Sequence, residues 1–253
     1  MAGGHRHLLV HEEGPLHRVA PQCKLLATLL FVIAVVATPK EQVWAFAVHA
    51  ALLGLAATIA RVPLGALAKR LVIEVPFLAF AVLLPFVGRD RSVEVLGLEL
   101  SRPGLWAAWN IVAKATIGVA ASIVLASTTS VPHLLQGLER LRVPRQLVAI
   151  AGFMVRYGDV IGDELRRMRI ARESRGASAS RLGHARAVAT SAGALFVRSY
   201  ERGERVYLAM VSRGYTGTMP LRSTAATAPA WVVCLAWPAA ASVVALSAWS
   251  VQR

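Results

Sequence analysis

The tripeptide Ser-Arg-Gly occurs twice, as Ser174-Arg175-Gly176 and Ser212-Arg213-Gly214, 38 residues apart. Each copy closes a stretch patterned as an amphipathic helix. Glycine after the last helical residue permits a left-handed cap, and an arginine just before it complements the negative end of the helix dipole. The guanidinium then projects beyond the helix end, where its planar fork can bond a carboxylate of another protein in bidentate fashion. One copy alone is ordinary helix punctuation. Two copies on matched helix ends suit a partner that offers two equivalent sockets, such as a dimer.

The other residues that could do chemistry are poorly arranged for catalysis. A phosphate-binding loop needs Gly-Lys followed by Ser or Thr, and none of the four lysines, Lys24, Lys40, Lys69 and Lys114, follows a glycine. There is no HExxH, no Gly-x-Ser-x-Gly and no convincing catalytic dyad, so a non-catalytic protein without a cofactor of its own is expected. Cys23 and Cys234 have no neighbour at CxxC spacing, which excludes the usual zinc and redox motifs. His5, His7, His11 and His17 place four of the seven histidines in the first 17 residues. Imidazole suits transition metals, but these four are spread along a Gly-containing arm with nothing to orient the rings, and no metal site is expected there. His49, inside an apolar segment, is expected to be hydrogen-bonded within a helix bundle.

These residues are set in a chain of unusual composition. Over 253 residues, 28 Lys and Arg stand against 14 Asp and Glu, for a net charge of +14, while 56% of residues are apolar. The apolar fraction excludes disorder, and two cysteines cannot staple a secreted scaffold. A basic soluble protein would suggest nucleic acid; a membrane protein with a basic cytoplasmic face accounts for both the charge and the hydrophobicity.

Five segments meet the length needed to cross a bilayer, 22–39, 43–60, 71–88, 104–127 and 229–250. The first resembles a signal-peptide core, yet its leader exceeds twenty residues and carries Glu12 and Glu13, and a second apolar segment follows a Pro39-Lys40-Glu41 turn; the amino terminus is expected to be retained. An inside amino terminus puts Arg6, Arg18, Lys24, Arg61, Lys69, Arg70, Arg140, Arg142 and Arg145 in the cytoplasm, and leaves outside Lys40, Arg253, and Arg89, Arg91 and Arg102 mixed with Asp90, Glu94 and Glu99. Small residues four apart, Gly118, Ser122 and Ala126, then Ala236 and Ala240, predict the packed helix faces. Glu74 and Lys114 fall inside spans, where an unpaired charge costs about 2.5 to 3.5 kcal/mol; pairing within the bundle or snorkelling is expected, with a place on a substrate path as the alternative.

Residues 131–228 hold 16 of the 28 basic residues, all arginine, and 7 of the 14 acids. A short helix ends at Val143-Pro144. A second, opened by Pro144, carries an apolar stripe of Leu147, Ile150, Ala151, Met154, Tyr157, Ile161, Leu165 and Met168, with Asp163 and Arg167 as an i,i+4 pair outside it. A third begins near 185, with Ala189, Ala192, Phe196, Tyr200, Val206 and Met210 as its stripe and Glu201 and Arg205 as a pair. Such helices can lie on a membrane surface or against a bundle, with arginines near anionic headgroups. The expected fold is therefore an all-α integral membrane protein. It comprises a cytoplasmic amino-terminal arm (1–21), four transmembrane helices (22–130), cytoplasmic Arg-rich amphipathic helices (131–228) and a last transmembrane helix (229–253).

Over nearly its whole length the chain resembles the transmembrane T component of energy-coupling factor transporters, and within it the cobalt-type CbiQ proteins. The resemblance rests on His17-Arg18 to Lys24-Leu25, on Gly137 to Pro144 (GLERLRVP), and on Arg156-Tyr157 with Asp163 to Met168 (DELRRM). Further on it rests on Arg198 to Gly203 (RSYERG), leading to Ala209 to Tyr215 (AMVSRGY). The family commonly has Ala-Arg-Gly where this chain has Ser174 and Ser212; serine is similarly small. The resemblance implies a coupling subunit of an importer in the cytoplasmic membrane. Two ATPase subunits, which bind the ATP, would each receive one tip, carried by Arg175 and Arg213, and a small substrate-binding membrane protein, the S component, would release cargo inside. Cobalt is the cargo the subfamily implies, with nickel or a vitamin as alternatives. A self-contained carrier or channel would need polar or broken, repeat-related spans, and beyond Lys114, Asn110 and Glu74 there is little; no nucleic-acid partner is expected.

Overall fold

The computed structural model describes residues 19–62, 65, 71–87, 91–95, 98–176, 181–217 and 227–252. His5, His7, His11, His17, Arg6, Arg18, Lys69, Arg70, Arg89, Asp90 and Arg253, and most of the amino-terminal arm, lie outside the described residues. In chain order the helices are α1 (Pro21–Ala37), α2 (Val43–Ile59), α3 (Val75–Val87), α4 (Arg102–Thr128), α5 (Val131–Arg140), α6 (Arg145–Ser174), α7 (Arg181–Val211) and α8 (Ala228–Gln252). The fold is all-α apart from one antiparallel hairpin, β1 (Arg91–Val95) and β2 (Leu98–Ser101), inserted before α4.

The chain divides into two compact units. One is built from α1 to α5 and α8, the other from α6 and α7. In the first, α1 is the central helix and packs against α8, α5 and α4, while α3 packs along α4. Its core joins Phe31, Ala34 and Val35 of α1 to Phe46, Leu53 and Ala57 of α2, Ile117, Ala121 and Val124 of α4 and Ala241 of α8. The outward faces are apolar as well: Phe77, Phe80 and Phe86 on α3 and Val232, Val243 and Leu246 on α8 are exposed. A helix apolar all round belongs in lipid, where its backbone bonds are satisfied internally. This is an all-α integral membrane protein.

The five apolar helices fall where the spans are expected. At 27 and 25 residues α4 and α8 reach roughly 40 Å, more than the ~30 Å hydrocarbon thickness. The third is shorter than expected for 71–88. Pro76 has no amide to bond the Val72 carbonyl, which instead accepts from Val75, so Val72–Glu74 is a 3-10 turn and the α-helix starts at Val75. The spacing of Val93, Val95, Leu98 and Leu100 is a period-two pattern that signals strands, and the backbone pairs Val93 with Leu100 and Val95 with Leu98.

The small-residue stripes do not make the intramolecular contacts expected of them. Gly118 has no atom within 4 Å of an added Cβ, and Ser122, Ala236 and Ala240 are exposed. The buried faces are Ala113, Ile117, Ala120, Ala121 and Val124 on α4 and Ala241, Ala245 and Ala248 on α8. Close backbone approach occurs instead at Gly104, where a Cβ would meet the Leu84 carbonyl oxygen at 2.8 Å, and at Gly137, where it would stand 3.1 Å from the Pro21 carbonyl carbon.

Candidate functional site

Helices α6 and α7 end alike. Arg175 is the C-cap residue of α6, and the Gly176 amide donates to Glu173 O at 3.3 Å with φ at +72°. On α7 the Gly214 amide donates to Val211 O at 2.9 Å, the Tyr215 amide to Met210 O at 3.0 Å, and φ of Gly214 is +85°. That pair of bonds is the Schellman closure, which requires a left-handed residue and so favours glycine. The serines match too: Ser174 Oγ donates to Ala171 O and Ser212 Oγ to Ala209 O, both at 3.0 Å. Each hydroxyl is turned back into its own helix, so neither serine offers its proton outward at the tip. All six residues, Ser174, Arg175, Gly176, Ser212, Arg213 and Gly214, are exposed, and neither Arg175 nor Arg213 has an ion-pair partner among the described residues.

The faces behind the tips are less regular than the expected stripes. Tyr157 and Ile161 of α6 and Val206 and Met210 of α7 line a shared cavity of about 400 Å³. Most of the remaining stripe is open, with Met154 at 70% and Phe196 at 72% exposure. The Glu201 and Arg205 pair forms at 4.0 Å, but Asp163 and Arg167 do not pair among the described residues; the close pair on α6 is Arg169 with Glu173 at 2.8 Å. An unforeseen cluster stands out. Glu164, only 9% exposed, takes Arg198 Nη1 on Oε1 at 3.3 Å and Arg202 Nη2 on Oε2 at 3.0 Å. The hydrogen bond from Arg198, then the bond from Arg202 and both positive charges, hold the Glu164 carboxyl below the usual carboxylate range against the opposing pull of burial. A signal for it existed: two arginines four apart on one helix face repel unless an acid from elsewhere lies between them.

The two charges inside the spans are hydrogen-bonded within the bundle. Glu74, 2% exposed, accepts from Thr116 Oγ1 at 3.0 Å. Lys114 Nζ donates to Val36 O at 2.7 Å at the carboxyl end of α1. There Trp249 Nε1 donates to Ala37 O at 2.9 Å, Thr38 Oγ1 to Ala34 O at 2.9 Å, and the Thr38 amide to Val35 O at 3.2 Å. All four terminal carbonyls of α1 are thereby satisfied, two of them by other helices. His49 Nε2 lies 3.1 Å from Thr38 Oγ1. Because the Thr38 hydrogen is committed to Ala34 O, Nε2 must be the donor and Nδ1 keeps a buried lone pair. His49 is therefore part of this hydrogen-bonded corner, and no cluster of three potential metal ligands occurs among the described residues.

The family model described as CbiQ, cobalt transport protein, matches residues 12–224. The chain belongs to the CbiQ family. The family's members are cobalt-type transmembrane T components of energy-coupling factor transporters, and both helix tips and all but the last apolar helix fall inside the matched range. Among curated relatives, this CbiQ-family chain is 32% identical to the cobalt transport protein CbiQ of Rhodobacter capsulatus over 188 residues, 74% of this chain and 75% of that one. It is 26% identical to the energy-coupling factor transporter transmembrane protein EcfT of Bacillus selenitireducens, across 80% of both chains. It also matches a putative fused cobalt transport protein CbiMQ of Methanocorpusculum labreanum at 25% identity, covering 82% of this chain and 36% of that protein.

Proposed function

We propose that this protein is the non-catalytic coupling subunit of an ATP-driven importer for cobalt ions in the cytoplasmic membrane, with its amino terminus and residues 131–228 in the cytoplasm. Two ATPase subunits each receive one Ser-Arg-Gly tip, and closure of the ATPase dimer is passed through α6 and α7 to a small substrate-binding membrane protein that releases the ion inside. The observation that carries this reading is the matched pair of caps. Two exposed arginines at two left-handed glycine ends, with the same serine bond behind each, are what a symmetric pair of sockets requires. The exposed stripe of α6 and α7 supports it, because these helices leave apolar surface for lipid or the substrate-binding subunit to cover. Cobalt as cargo follows the names of the relatives, a cobalt transport protein and a putative fused cobalt transport protein.

The test is purification of tagged protein from native membranes in mild detergent, for the natural chain and for the double variant Arg175→Glu, Arg213→Glu. The natural chain is expected to bring a P-loop ATPase and a second small membrane protein in stoichiometric amounts. The double variant, with both sockets facing like charge, is expected to keep the small membrane protein and lose the ATPase. Full ATPase recovery with the double variant would sink the docking reading, and recovery of the natural chain alone would favour a self-contained carrier.

A further inference from the structure

We infer that Glu164, held between Arg198 and Arg202, is the positioning residue that fixes where α6 and α7 cross and so serves as the common pivot of the two Ser-Arg-Gly arms. This rests on the proposed coupling role of the tips. Both oxygens of one carboxylate are used, Oε1 by Arg198 and Oε2 by Arg202, from successive turns of α7. A slide of α7 by one turn, about 5.4 Å, would carry one guanidinium out of reach and leave the other alone. The carboxylate therefore sets register as well as proximity. Its partners differ in setting: the Arg202 side chain is 32% exposed at 3.0 Å and Arg198 is 60% exposed at 3.3 Å, so the Arg202 contact is the less screened by solvent.

Packing does not do this job unaided. Beside Arg202 the two helices enclose the 400 Å³ cavity lined by Tyr157, Ile161, Val206 and Met210, where closer apolar surfaces would otherwise interlock. An ion pair flanked by loose packing gives a defined crossing that can still rotate.

The placement along the chain assigns the cluster to the arms. Glu164 and Arg202 are separated by 38 residues, the same interval that separates the two Ser-Arg-Gly copies. Glu164 thus stands eleven residues before Arg175, and Arg202 eleven before Arg213, so each tip lies about 16 Å along its helix from the clamp. Equal arms from one pivot give the two ATPase sockets equal leverage. A clamp nearer one tip would move that tip less than the other for the same rotation.

The test uses the complete transporter, with its ATPase and substrate-binding subunits, in liposomes. Spin labels are placed at Ile170→Cys and Leu208→Cys, exposed positions also 38 apart, after replacing Cys23 and Cys234 by alanine. The distance distribution between the labels and the ratio of Co2+ taken up to ATP hydrolysed are then measured. With Glu164 intact a single narrow distribution is expected. Glu164→Gln and Arg202→Gln should broaden it and lower uptake per ATP by on the order of tenfold, within the usual range of coupling between sites, while ATPase recovery stays normal; Arg198→Gln should do less. Arg202→Lys, which keeps the charge but not the fork, should fall between. If Glu164→Gln and Arg202→Gln leave the distribution narrow and the uptake ratio unchanged, the pivot is wrong. Loss of uptake only in step with loss of bound ATPase would also overturn it. Failure of the coupling reading looks different: Arg175→Glu with Arg213→Glu would retain the ATPases whatever the label distances show.

Discussion

Replacing Gly176 and Gly214 by alanine tests whether the caps aim the arginines. Both glycines have left-handed φ, +72° and +85°, and an added Cβ at either would meet no atom within 4 Å. Steric collision therefore contributes nothing, and the cost is that of placing an L-residue in the left-handed region, about 1–2 kcal/mol at each tip. If docking requires the closed cap, this converts to a loss of roughly fivefold to thirtyfold in ATPase affinity per tip. The two losses should combine without interaction, because the caps belong to separate helices. Asparagine tolerates the left-handed region, so Gly176→Asn and Gly214→Asn should lose less than the alanine variants. Gly158→Ala is the control of opposite sign. It lies inside α6, also with nothing within 4 Å, and should stabilise that helix by about 1 kcal/mol without changing affinity. The assay is binding of purified ATPase subunits to the protein in nanodiscs, with circular dichroism to confirm unchanged helix content. Natural affinity in the double alanine variant would refute the idea that cap geometry presents the guanidinium.

The close approach of α3 to α4 gives a second expectation. Gly104→Ala would press a methyl group onto the Leu84 carbonyl oxygen and Pro85 Cα, backbone atoms that cannot rotate away, and should destabilise the bundle by about 1–3 kcal/mol in thermal unfolding in detergent, whereas Gly118→Ala should be harmless. A third concerns acid. Because the folded-state pKa of Glu164 is lowered, its contribution is present above the unfolded carboxylate pKa and is lost as pH falls through the lower folded value. The distance distribution between labels at 170 and 208 should stay narrow at neutral pH and broaden only below the usual carboxylate range; broadening near pH 7 would assign the transition to another group.

Much of this protein is local chemistry, and local chemistry is legible in a sequence. The five apolar segments, the helix openings at Pro21 and Pro144 and the two Ser-Arg-Gly ends follow from hydrophobic length, proline geometry and the left-handed preference of glycine, each acting within a few residues. Even the 38-residue interval between the tips is visible before any coordinate. The hairpin at 91–101 has a local signal as well, the alternation of valines and leucines, which the reading of spans and charges did not use. Which residues meet across the chain is another matter. Small residues at four-residue spacing did not mark the faces of α4 and α8 that pack within this chain, because spacing shows that a face could pack closely but not that a neighbour lies opposite it. Lys114 reaches the carbonyl of Val36 78 residues earlier, and Glu164 bridges two arginines 34 and 38 residues later. Such contacts depend on how the helices cross and at what depth. Those crossings are set by the summed packing of all their side chains, so only the tertiary structure decided them.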